Sequence, residues 1–366
     1  DTTWAKSGTS VTGGQAGYDG SSDAWLLDIS GGANSQQIRQ SVTASGVTSY
    51  SIYAKANTLD WILLYVNASQ TTRGYFDIAN GVLGGSNNLI DSKIESVGNG
   101  YYRCTIVCSD SITQVRLYLA SGDGNITQSS GSIYIQDAQL NQGLVAYPYL
   151  ETTTAPAQGG LLENTPRLDW SNGVPSVKLE EGRTNIARNS EYFGSFSIIG
   201  SPVRTPNATI SPEGVKNAYA ISVSGGSARI RSTNIIYANG DSYCFSVYAK
   251  ANGTSTFNMI HQNNKFNVRI DLSNQTYTPS GTNDWLDDVD IVSFGNGWYR
   301  CVVYITMDAN AVTGTAEIYL LDGDSVYVYG IQIEQGSTPS SYIPTYGTTQ
   351  TRSNETVSDT FSIPTT

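Results

Sequence analysis

The chain has 366 residues, 39% hydrophobic and 14% charged, with a formal net charge of −11. Disorder needs low hydrophobicity with high charge, so this chain is expected to fold, and its negative balance argues against nucleic acid as a partner. No apolar run approaches the ~18–20 residues of a membrane-spanning helix, so no membrane insertion is expected.

In chain order, residues 1–47 predict an entry region with Trp4, a turn at Gly13-Gly14, a strand over 24–29 and a polar strand over 36–42. The next strand has a period of two. Tyr50, Ile52 and Ala54 share one face, and Ser51, Tyr53 and Lys55 the other. A strand over 61–66 follows, then one around Asp77 closed by Asn80-Gly81. After Gly98-Asn99-Gly100, Tyr102, Cys104 and Ile106 oppose Tyr101, Arg103 and Thr105. Strands over 115–120 and 133–140 flank a long loop, 121–131.

Most of this then recurs. Ser51-Ile52-Tyr53-Ala54-Lys55-Ala56-Asn57 returns as Ser246-Val247-Tyr248-Ala249-Lys250-Ala251-Asn252, 195 residues on. Asp77 returns as Asp271 and Arg103 as Arg300, at offsets of 194 and 197. Three matches in one order at nearly one spacing mean a tandem duplication. Each copy is far longer than a solenoid unit and needs its own core. With no long 3.6-residue period and many Gly/Asn/Asp turns, the expected fold is all-β: two tandem antiparallel β-sandwich (jelly-roll) modules. The boundaries read as a first module over 1–153, a partly docked linker over 154–188, a second module over 189–346 and a flexible tail over 347–366. Trp170, Val174, Val177 and Leu179 are the linker residues expected to dock.

Four cysteines occur, and buried small hydrophobes are the expected role. Cys104 and Cys108 lie about 13 Å apart along one strand, too far to bridge. Cys244–Cys301 stays open, provided their strands pair.

The second copy also carries Leu-Glu-Glu-Gly-Arg-Thr-Asn (179–185), Asn-Ser-Glu-Tyr-Phe (189–193), Asn-Gly-Trp-Tyr-Arg-Cys (296–301), Ile-Gln-Ile-Glu-Gln-Gly (331–336) and Ser-Tyr-Ile-Pro-Thr (341–345). This series resembles the modules of bacteriophage head-spike, head-fibre and tail-fibre proteins, which are similar in turn to jelly-roll carbohydrate-binding modules. The match covers 179–352 well and the first copy less completely. The resemblance implies a non-catalytic virion appendage at the particle surface. Its implied partners are other virion proteins and a host cell-surface polysaccharide, and its implied assembly is a homo-trimer. The alternatives are a purely structural virion spacer and the glycan-binding appendage of a polysaccharide-degrading enzyme.

Tyr53, Lys55 and Arg103, with Tyr248, Lys250 and Arg300, have two readings. They form a sugar platform, or they are scaffold whose identity between copies reflects structure. Positions that differ between copies are the stronger binding candidates: Trp61, Tyr65 and Arg73 in the first, Phe257, His261 and Trp285 in the second. Aromatic rings cover apolar sugar faces, and cations bind hydroxyls or carboxylates. Trp61 and Trp285 are expected to face water. Acidic turns at Asp19/Asp23, Asp287-Asp288-Asp290 and Asp322-Gly323-Asp324 suit structural calcium or are solvated loops. No cofactor is expected. The chain lacks nucleophile, phosphate-loop and His-rich metal motifs, so no enzyme is expected.

Overall fold

A computed structural model describes residues 4–31, 36–67, 71–152, 155–157, 167–169, 174, 176–232, 234–236, 240–308 and 313–355. The first repeat lays down β1 (Ala5–Ser7), β2 (Thr9–Gln15), β3 (Ala24–Ile29), β4 (Gln37–Ala44), β5 (Thr48–Ala56), β6 (Trp61–Val66), β7 (Thr72–Asp77), β8 (Val82–Asn87), β9 (Asp91–Gly98), β10 (Tyr101–Cys108), β11 (Ile112–Ala120) and β12 (Ser132–Gln142). They make two six-stranded antiparallel sheets, ordered β1-β4-β11-β6-β7-β8 and β2-β3-β12-β5-β10-β9. The chain passes back and forth between the sheets along a jelly-roll path.

Next come β13 (Arg167–Asp169), β14 (Ser176–Lys178), β15 (Arg183–Asn185), a 3-10 turn (Phe193–Ser195), β16 (Ser197–Ile199), β17 (Val203–Thr209), β18 (Ala218–Ser222), β19 (Ala228–Arg231), β20 (Ile235–Ile236), β21 (Ser242–Ala251), β22 (Thr256–His261), β23 (Asn267–Asp271), β24 (Thr276–Pro279), β25 (Leu286–Gly295), β26 (Trp298–Thr306), β27 (Thr313–Gly314), β28 (Ala316–Leu320), β29 (Ser325–Gln335) and β30 (Gln350–Arg352). The sheet orders β16-β19-β28-β22-β23-β24 and β17-β18-β29-β21-β26-β25 reproduce those of the first repeat strand for strand. The all-β fold of tandem antiparallel sandwiches expected from the sequence is therefore present. The compact units are Asp1–Glu151 with Glu191–Gly194 and Thr205–Tyr219, and Thr152–Ser190 with Ser195–Arg204 and Ala220–Thr366.

In the first repeat, the period of two puts Tyr50, Ile52 and Ala54 of β5 into one core with Ile62, Leu64 and Val66 of β6, Cys104 and Ile106 of β10, and Leu117 and Leu119 of β11. Fully burying each large apolar side chain contributes roughly 1.5–3 kcal/mol. The repeated turns have local causes. Asp77 Oδ1 accepts from the amides of Ala79 and Asn80, and Asp271 Oδ1 from those of Ser273 and Asn274. Asn99-Gly100 and Asn296-Gly297 take positive φ at both residues, which the tight hairpins β9–β10 and β25–β26 require.

All four cysteines are free and buried. The register of β21 on β26 sets Val247 opposite Cys301 and Cys244 opposite Tyr304, so the strands pair without offering a Cys244–Cys301 bridge.

The apolar linker residues do not dock: Val174, Val177 and Leu179 are exposed. Trp170 and the tail beyond Glu355 lie outside the described residues. Anchoring comes instead from the polar motif that follows. Asn185 is buried, its Nδ2 donates to the Ile331 and Ile343 carbonyls, and its Oδ1 accepts from the Ala187 and Ile333 amides. Glu180 pairs with Arg352 at 2.9 Å and Lys178 at 3.4 Å.

Candidate functional site

The residues identical between the repeats form a clamp. Arg103, on β10, donates to Ser51 Oγ and to the Ala146 and Tyr147 carbonyls. Arg300, on β26, donates to Ser246 Oγ and to the Ser340 carbonyl. A glutamine completes each set. Gln139 Nε2 donates to the Tyr147 carbonyl while its Oε1 accepts from the Leu150 amide; Gln332 Oε1 accepts from the Ile343 amide. Each Arg–Ser–Gln group ties the segment after the last long strand across the outside of the sheet. Tyr53 lies under the Arg103 guanidinium at 5.2 Å and stacks on Tyr18 at 3.9 Å. Tyr53 and Arg103 are thereby buried and serve to hold the segment over the sheet, the structural one of the two readings of these residues.

The other sheet of the first repeat differs. Its outer face carries Trp61, Leu63, Tyr65, Tyr75, Tyr118 and Ala120, packed with Ile126 of the long loop. The register aligns one row across four strands: Arg39 on β4, Arg116 on β11, Tyr65 on β6 and Arg73 on β7. The next row is Gln37, Tyr118, Leu63 and Tyr75. Trp61 is half-buried, and its ring lies so close to β8 that a Cβ on Gly84 would come within 2.6 Å of it. Beside it a recess of about 240 Å³ is lined by Arg73, Tyr75, Ser86, Asn87 and Asp123. Asp123 Oδ1 accepts from the Gly85 amide at 2.8 Å, which fixes the long loop beside β8.

The structure thus brings Trp61, Tyr65 and Arg73 onto one face. Tyr65 is only 1% exposed, under the Arg116 guanidinium, so it supports the face and is not a stacking surface. The three candidates of the second repeat are corrected. Phe257, His261 and Trp285 are 0%, 0% and 1% exposed. Phe257 and His261 sit one residue out of register with Trp61 and Tyr65. The strand pairings set Ile62 against Phe257 and Val66 against His261, and a one-residue slip exchanges the faces of a strand. Both therefore point into the core. Trp285 plugs the end of that core, its ring 4.8 Å from His261, with Lys265 Nζ 5.4 Å over it. Lys265 is paired in turn with Asp284 and Asp308.

The equivalent face of the second repeat is closed by ion pairs. Arg231, Glu317, Ile260 and Asn267 make up the row that matches Arg39, Arg116, Tyr65 and Arg73. Buried Glu317 pairs with Arg231 at 2.8 Å and Arg229 at 3.5 Å, and Asp324 pairs with Arg269. The sequence missed Arg39 and Arg116 because each is a lone arginine until the register aligns them.

A second recess of about 540 Å³, also in the first repeat, is lined by Tyr18, Asp19, Asp23, Tyr53, Asp137, Tyr149 and Glu151. Burial, then the charges of Asp23, Asp19 and Glu151, push the Asp137 carboxyl up to about 6, although the Tyr18 hydroxyl donates to it. Asp19 is lowered, chiefly by hydrogen bonds from Ser21. Among the described residues no group of three or more His, Cys, Asp or Glu is arranged to hold a metal ion. The other acidic turns have protein partners: Asp287 accepts from Thr306, Asp290 from Tyr304, and Asp322 from the Gly225 amide.

The chain matches no protein-family model and no curated protein. Among solved structures it is similar to the tandem CBM22-1–CBM22-2 domain of Xyn10C from Paenibacillus barcinonensis, at 12% identity over 92% of this chain and 94% of that one, with a TM-score of 0.27. It is also similar to an exo-β-1,3-galactanase from Phanerochaete chrysosporium (11% identity, 89% and 69% covered, TM-score 0.24). A third is the tandem CBM51 modules of a family 98 glycoside hydrolase from Streptococcus pneumoniae (9% identity, 86% and 84% covered, TM-score 0.21). Scores this low carry no argument about this chain, whose fold stands on its own strand pairing.

Proposed function

We propose that this chain is a non-catalytic appendage of a bacteriophage particle, a head or tail fibre, spike or decoration, whose first repeat contacts a host surface glycan. One observation supports the glycan reading above the rest. The outer face of the first repeat presents half-buried Trp61 beside a recess with Arg73, Tyr75 and Asp123, whereas the matching face of the second repeat is closed by Glu317 and Asp324. An aromatic edge with a cation and a carboxylate at its border suits the apolar face and hydroxyl rim of a sugar. The phage reading rests on the motif series at 179–345, and surface exposure on the virion follows from it. A homo-trimer belongs to the same reading, although no coiled-coil heptad is present to drive one.

A glycan array probed with wild type and Trp61→Ala tests the binding. Wild type should retain specific sugars, and the variant should lose about thirtyfold in affinity, the size of a binding hot spot. Absence of any binding by wild type would favour the structural spacer. Mass spectrometry of purified particles tests the virion assignment. A chain found only fused to a polysaccharide-degrading enzyme would replace that assignment with the enzyme appendage.

A further inference from the structure

The row Arg39–Arg116–Tyr65–Arg73 has a charge arrangement that folding does not ask for. Arg39 stands directly opposite Arg116 in the β4–β11 register. Like charges at directly opposed positions destabilise a sheet. None of the three arginines makes an ion pair among the described residues, in a chain whose net charge is −11. Asp123 borders the same recess and keeps its charge, its Oδ1 held by the Gly85 amide and not in an ion pair with Arg73.

The second repeat shows the alternative on the same scaffold. The position of Arg116 is taken there by Glu317, and the arginine opposite it, Arg231, is paired at 2.8 Å. One copy of the row is neutral within itself, and the other is left cationic.

The cationic copy is also pre-organised. Arg116 Nε donates to Gln114 Oε1 at 2.8 Å, its Nη1 faces Gln37 Oε1 and the Tyr118 hydroxyl, and its guanidinium lies 5.6 Å from the Tyr65 ring centroid. These neutral partners fix the guanidinium without cancelling its charge. Arg39 is exposed, and Arg73 is half-buried at the mouth of the recess. With strands about 4.8 Å apart, the row from Arg39 to Arg73 spans about 14 Å, long enough to meet successive charges on an extended polymer.

We infer that this row binds the repeating negative groups of an acidic polysaccharide, the guanidinium forks taking the anions while Trp61 and the adjoining recess take sugar rings. The inference rests on the glycan-binding reading above and adds the chemical class of the glycan. Uronate carboxylates and sulfate esters share the required chemistry. The net charge opposes every polyanion alike; nucleic acid is the less favoured one because Tyr65 is buried and Trp61 half-buried, so the face lacks the exposed aromatic platforms on which bases stack.

The test is a titration of the full chain against polygalacturonate, dextran sulfate, uncharged dextran and a single-stranded oligonucleotide. Wild type should prefer the acidic polysaccharides, and added salt should weaken them. Arg39→Gln and Arg116→Gln should each lose about tenfold on those polymers, the size of a charge-assisted hydrogen bond. Lys93→Gln, on the other sheet, should lose nothing. Arg39 is exposed, so its variant should fold, and Arg116→Lys gives a second check by keeping charge while losing the planar fork. Preference for polygalacturonate over dextran sulfate would assign the site to carboxylates, and equal binding to negative charge in general. Dextran binding as tight as acidic binding, unchanged in the Arg variants, would overturn the inference and leave the glycan reading standing. Binding of none of the polysaccharides would overturn both, and tighter binding of the oligonucleotide would overturn the polysaccharide assignment.

Discussion

His261 makes the stability of the second repeat dependent on acid. It is the single histidine of the chain and is fully buried, between Phe266 and Trp285. Burial, and then the charge of Lys265, lower its pKa to about 4 from an ordinary 6.5. The folded state thus binds fewer protons than the unfolded state between those values. Its stability is complete above about pH 6.5 and is lost as pH falls toward 4. At pH 5 the linkage relation gives a loss of about 2 kcal/mol, and below pH 4 a limit of about 3 kcal/mol. The assay is urea unfolding followed by tryptophan fluorescence at pH 7 and pH 5. With a slope of about 2 kcal/mol per molar, the wild-type midpoint should drop by roughly 1 M. His261→Val supplies the control, since Val66 is buried at the matching position of the first repeat. The variant should be less stable at pH 7 but should lose most of the pH dependence. An equal shift in both proteins would refute the reasoning and transfer the acid sensitivity to carboxylates.

Trp285→Ala empties the core beside His261 and should cost about 3–5 kcal/mol, visible as a lowered melting temperature, whereas Trp61→Ala should fold with a loss nearer 1 kcal/mol. Arg103→Ala leaves the Ala146 carbonyl without its Arg103 donor and the Tyr147 carbonyl with Gln139 alone, and should cost about 1–3 kcal/mol; hydrogen exchange should report opening of residues 144–150 first. Arg39→Gln should leave thermal stability unchanged or slightly raised by relieving the opposed Arg116, while Arg231→Gln in the second repeat should lower it by removing the nearer of the two arginines paired with buried Glu317. Burial raises all four thiols, Cys244 to about 12 and Cys104, Cys108 and Cys301 upward as well, so a thiol reagent should label none in the native protein and four after denaturation.

Much of the fold was legible in the chain because its causes are local. Alternation at Tyr50, Ile52 and Ala54 names the inward face of β5, and Asn-Gly pairs and Asp-Asn turns mark where strands reverse. The recurrence of these signals 194–197 residues later fixes two copies of one sandwich without reference to a fold library. Which outer face lies open was not local. Tyr53 and Arg103 alternate outward as the pattern requires, yet Tyr18 and the 146–150 segment cover them, and both come from far along the chain. Phe257 and His261 were misplaced because strand register, which assigns faces, comes from partners on β23 and β28 and not from the strand itself. Trp285 looked like a loop aromatic, and only packing shows that its loop folds back over the core. Arg39, Arg116 and Arg73 are three isolated arginines in the sequence. They become a row because cross-strand hydrogen bonding sets β4, β11, β6 and β7 side by side, and that pairing belongs to the tertiary structure alone.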